Sequence, residues 1–87
     1  MTEAEARRRI RAYIVENFLY MRPDVSFGDD DLLLRNGVFD SLGVMEVIGF
    51  VEETWGLEVA REDVTEANFG TVATMARYVA CRSADAA

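Results

Sequence analysis

Ser41 stands in Gly37-Val38-Phe39-Asp40-Ser41-Leu42, directly ahead of an apolar-periodic stretch that runs to Trp55. A serine at the start of a helix, behind an acidic residue, is an exposed hydroxyl in an anion-tolerant place. Free backbone N–H groups and the positive end of the helix dipole both favour a phosphate there. The chemistry on offer is therefore that of a serine bearing a phosphodiester-linked group. Self-contained nucleophilic catalysis is a different matter. The chain has no His and a single Cys, Cys81, so neither a Ser-His-Asp nor a Cys-His site can be assembled. The same residues exclude an internal disulfide and a Cys/His zinc site. Asp29-Asp30-Asp31 lacks the alternating spacing and distal Glu of a calcium loop, and reads as a solvated turn.

The elements that must position Ser41 follow from periodicity and punctuation. Thr2, with Glu5 three residues on, reads as the capping box of a first helix. Ile10, Ile14 and Phe18 recur along one face of that helix, which ends before Pro23. Pro23, Gly28, Asp29-Asp30-Asp31 and Asn36-Gly37 mark a long connection. Leu32, Leu33 and Leu34 inside it are too apolar for a free loop and should pin it to the helices. Asp40 or Ser41 caps the second helix, whose core stripe is Val44, Val47, Ile48, Val51 and Trp55, with Gly56 as C-cap. Thr65 to Phe69 makes about one helical turn, broken by Gly70. Thr71 caps a last helix with Val72, Met75, Ala76 and Val79 on one face. Three longer helices, one short helix and a long first loop predict an all-α fold, a small antiparallel four-helix bundle. One domain is expected over 1–82, followed by a disordered tail over 83–87.

Charge narrows the partners. Residues 24–69 hold twelve Asp and Glu against two Arg, a formal −10, whereas residues 1–23 hold five Arg against three Glu. So acidic a middle repels nucleic acid and anionic membrane and attracts basic protein surfaces. The run Arg7-Arg8-Arg9 with Arg11 is short, is balanced by Glu3 and Glu5, and reads as a solvated helix face. No apolar run approaches a membrane span, and the N-terminus is unlike a signal peptide. A cytoplasmic location is expected.

With these residues placed, the chain resembles the acyl and peptidyl carrier proteins, over roughly residues 8–80. Asp40-Ser41-Leu42 carries the resemblance most specifically, followed by Met45-Glu46, Glu52-Glu53 and Trp55-Gly56. Asp63-Val64-Thr65-Glu66-Ala67-Asn68-Phe69 and Thr71-Val72 look like the family's third helix and the start of its fourth.

The resemblance implies that Ser41 carries 4′-phosphopantetheine, delivered from coenzyme A by a phosphopantetheinyl transferase. The arm's thiol would hold acyl, malonyl-type or aminoacyl cargo for partner enzymes. Those partners would be a loading enzyme (an adenylating enzyme or an acyltransferase) and a downstream synthase. Ser41 would then be a modification acceptor and the chain not an enzyme. Asp40 inherits the family's role of helping to bind the transferase's metal, and is equally a helix N-cap. A monomer is implied.

Departures from the common form point away from primary fatty-acid synthesis. Gly43 replaces the usual acidic residue, Gly49 replaces a bulkier one, and Val38 occupies the usual motif glycine position, with Gly37 one earlier. The form Gly-Val-Phe-Asp-Ser-Leu-Gly with Phe50-Val51-Glu52-Glu53 looks more like discrete carriers of polyketide and nonribosomal peptide assembly. The chain's length fits a freestanding carrier. Trp55, Phe50 and Phe69 are bulky enough to fill the space where the family shelters long acyl chains, which favours short or polar cargo.

The expected partner surface is Met45, Glu46, Gly49, Glu52 and Glu53, off the core stripe of the second helix, while Leu42 is expected with Asp40 to flank the arm on Ser41. Exposed Met suits adaptable contacts, and the glutamates suit basic partners. The rival reading is an acidic helical interaction module whose serine is never modified.

Overall fold

A computed structural model describes residues 2–22, 24–38 and 40–86, the last four of these as backbone only. It is a small helical bundle of α1 (Glu3–Phe18), α2 (Ser41–Trp55), α3 (Glu66–Phe69) and α4 (Val72–Ala86), with a 3-10 turn over Arg61–Asp63. No strand occurs among the described residues. The tail over 83–87 lies outside the residues described with side chains.

Each helix starts where a short polar side chain can take a free N–H. Thr2 Oγ1 accepts from Glu5 N at 3.1 Å, Asp40 Oδ1 from Gly43 N at 2.9 Å, and Thr71 Oγ1 from Thr74 N at 3.1 Å. Asp40, rather than Ser41, is thus the cap of α2. That helix ends at Gly56, whose φ of 62° lies in the left-handed region that glycine enters without strain.

The core is one cluster. Ala6, Ile10 and Ile14 of α1 face Val72, Met75, Ala76 and Val79 of α4, and α1 packs more extensively on α4 than on α2. Val47, Ile48 and Val51 close it from α2. Burial of each large aliphatic side chain contributes about 1.5–3 kcal/mol as an upper bound.

The long first loop is part of this core. Phe27, Leu33 and Val38 are buried, although Leu34 beside them is exposed. Leu33 N donates to Gly70 O at 3.0 Å and Ala73 N to Asp29 O at 2.9 Å, so the loop is laced to the start of α4. The Arg11 guanidinium lies over the Phe27 ring, 4.4 Å from its centroid, and donates to Phe27 O. These anchors hold the segment leading into Ser41.

Candidate functional site

Ser41 is the first residue of α2 and is exposed. Its hydroxyl makes no hydrogen bond among the described residues, because Asp40 already does the capping. It stands on a lip between two clefts. The polar one, about 670 Å³, is lined by Asn17, Arg22, Gly37, Asp40 and Ser41 among others, on the side of α1 and the first loop. The other, about 300 Å³, is mainly apolar, and is lined by Leu34, Ser41, Val44, Met45, Val64 and Phe69 among others.

The far wall of the apolar cleft is α3. Thr65 Oγ1 takes Asn68 N at 3.3 Å and so starts this single turn. At its end, a Cβ on Gly70 would lie 2.5 Å from Glu66 O and 3.2 Å from Leu32 Cδ2. Glycine is required here by the turn itself, since the severe clash is with the Glu66 carbonyl of α3, whereas the Leu32 methyl of the first loop could give by a few tenths of an ångström. The segment before α3 is held to α4: Tyr78 donates its hydroxyl to Asp63 Oδ2 at 2.8 Å, and Arg82 Nη2 donates to Glu58 O at 2.9 Å.

Leu42 is exposed beside the serine, and of the expected partner residues Met45, Glu46 and Glu53 are exposed, as their positions off the core stripe require. Glu52 departs from that expectation. It is half-buried, and its Oε2 accepts Val59 N at 2.9 Å, fastening the chain after α2. Helical periodicity places it beside Glu53, but the returning backbone offers it a donor. Gly49 is half-buried on the α1-facing side of α2, in a groove with Tyr13, Glu46, Phe50 and Glu53. A Cβ there would meet nothing within 4 Å, so internal packing does not require glycine.

The aromatic residues divide. Phe69 borders the apolar cleft, whereas Phe50 and Trp55 pack on the α1 side. Phe50 stacks on Tyr13 with centroids 4.2 Å apart, and Trp55 meets Phe50 edge-on at 5.8 Å. Of these three bulky residues, only Phe69 reaches the apolar cleft. The reason is direction: Phe50 and Trp55 lie on the flank of α2 that turns towards α1. Burial, then the charges of Glu46 and Glu53, push the Tyr13 phenol above its usual range. The acidic face of α2 thus projects its field onto α1.

Among the described residues no group of three His, Cys, Asp or Glu could hold a metal, and no helix is long and apolar enough to cross a membrane. Arg22, Asn17, Leu34 and Val64 line the clefts beside Ser41 without having been expected at the site. Leu34 carried a signal through the apolar run Leu32-Leu33-Leu34, and Val64 through the stretch Asp63 to Phe69. No family model matches the chain, and no curated protein is detectably similar to it.

Proposed function

We propose that this chain is a carrier whose Ser41 bears 4′-phosphopantetheine. The observation that carries the reading is the state of Ser41: exposed at the start of α2, spared from capping by Asp40, and open to clefts on both sides. A bulky phosphodiester on Oγ requires that combination, so the residues present fit the group. Ser41 would bear it, flanked by Asp40 and Leu42. When attached, the group supplies a thiol that holds acyl or aminoacyl cargo as a thioester. The protein's own residues offer the serine oxygen, keep it exposed, and present Leu42, Met45, Glu46 and Glu53 to partners. A phosphopantetheinyl transferase would supply the base and the metal, and Asp40, beside the serine, would offer that metal a further oxygen. A loading enzyme and a downstream synthase follow.

A short cargo of polyketide or nonribosomal peptide assembly suits the apolar cleft, which is at the small end of ligand sites (about 300–1,000 Å³) and is bounded by Phe69, whereas a polar cargo would ride outside its apolar lining. Stabilisation of the loaded protein by a long alkyl chain, measured against an aminoacyl or malonyl-type unit, would reverse that choice of cargo.

The decisive experiment is incubation with coenzyme A and a broad-specificity transferase, followed by intact mass. The wild type gains the arm. Ser41→Ala gains none and keeps its helical content, since Asp40 still caps α2. A wild type that never gains the arm supports instead an unmodified acidic interaction module.

A further inference from the structure

The polar cleft beside Ser41 contains a cation placed by a local turn and by one contact remote in sequence. Arg22 follows α1, and its backbone is fixed by a turn: Arg22 N donates to Leu19 O at 2.9 Å, and Val25 N donates to Arg22 O at 3.1 Å. Its Nη2 reaches across to Gly37 O at 2.9 Å, four residues before Ser41. The guanidinium therefore lines the same cleft as Asp40 and Ser41.

Arg22 is also electrostatically uncommitted. Arg7 and Arg11 face Asp29, Arg35 faces Glu66, Arg77 faces Glu3, and Arg82 faces Asp63. No carboxylate lies within ion-pairing distance of Arg22 among the described residues. One bond to Gly37 O leaves most of its five N–H donors unused. An arginine fork of this kind matches the geometry of phosphate oxygens.

On the reading that Ser41 carries a phosphodiester, we propose that Arg22 is the positioning residue that holds it. A further negative charge on Ser41 enters a segment with a formal −10, twelve acidic residues against two arginines. Among the described residues that line either cleft beside Ser41, Arg22 is the cation available to offset it. Pairing with Arg22 draws the root of the arm towards the α1 side, away from the mouth of the apolar cleft. The pair is solvent-exposed, so it biases the arm without locking it.

The test uses the full chain loaded on Ser41, comparing wild type with Arg22→Gln, which can still donate to Gly37 O, and with Arg22→Lys. Phosphorus NMR reads the diester, and the arginine Nε–H signal reads the guanidinium. Loading is expected to shift the Arg22 Nε–H signal and slow its exchange by roughly two- to fivefold, the size that an exposed charge pair supports. The phosphorus shift should move in Arg22→Gln, stay closer to wild type in Arg22→Lys, and approach the Arg22→Gln value in wild type at about 1 M salt, where screening acts within about 3 Å. An Arg22 signal indifferent to loading, with one phosphorus shift in all three proteins, overturns the proposal. If Ser41 accepts no arm, the carrier reading itself fails, and the intact mass reveals this before any spectrum is recorded.

Discussion

Tyr78 of α4 donates its hydroxyl to Asp63 Oδ2 at 2.8 Å, fifteen residues back along the chain. Arg82 approaches the same carboxylate oxygen at 3.7 Å, and Asn68 Nδ2 donates to Asp63 O at 2.9 Å. One aspartate thus joins α4 to the segment that carries α3, and α3 walls the apolar cleft beside Ser41. The position of that wall depends on this latch.

Tyr78→Phe removes the hydroxyl and leaves Asp63 with Arg82. The expected cost is about 1 kcal/mol, a fall in Tm of roughly 4–8 °C for a domain of this size. Hydrogen exchange of the amides in α3 should rise more than that of α1. Equal loss of protection throughout would show that the latch acts on global stability alone.

Alkaline pH should act on the same contact. Burial, then the hydrogen bond to Asp63, raises the Tyr78 phenol above its ordinary value of 10.0. Burial does the same for Tyr13, aided by Glu46 and Glu53. A phenol that ionises later in the folded chain than in the unfolded one contributes stability that is complete below 10.0 and is lost as pH climbs through the folded value. Denaturant midpoints should therefore fall above that pH. In Tyr78→Phe the fall should be shallower.

Asp40 has two separable roles, one as cap and one as charge. Asp40→Ala removes the bond to Gly43 N and should cost about 1 kcal/mol. Asp40→Asn keeps a capping oxygen and should cost only a few tenths. If Asp40 also serves the transferase's metal, both variants should load Ser41 more slowly. Normal loading of Asp40→Asn would leave the cap as its whole contribution.

The three glutamates of α2 should respond differently to reversal of charge. Glu46→Lys and Glu53→Lys should keep wild-type stability and slow loading by a basic partner through the association rate, and raised salt should slow the wild type in the same way. Glu52→Lys should destabilise by about 1–3 kcal/mol, because Val59 N loses its acceptor in a half-buried place. Thermal melts and stopped-flow association separate the two classes. A stable Glu52→Lys protein would contradict its assignment as an internal anchor.

The helices, their caps and the place of Ser41 at the head of α2 are legible in the sequence, because each is a short-range matter. Thr2 with Glu5, Asp40 with Gly43, and Thr71 with Thr74 are three residues apart, and the apolar stripes repeat at helical spacing. Even the pinning of the first loop shows in Leu32-Leu33-Leu34. Which of those leucines enters the core is not legible, and the structure chooses Leu33. Tertiary contact alone brings Arg22 to Gly37, turns Glu52 onto Val59, and sends Phe50 and Trp55 towards Tyr13 while Phe69 meets the cleft. Periodicity tells which residues leave the core stripe. It cannot tell what the returning chain will place against them, because that depends on how distant segments pack together.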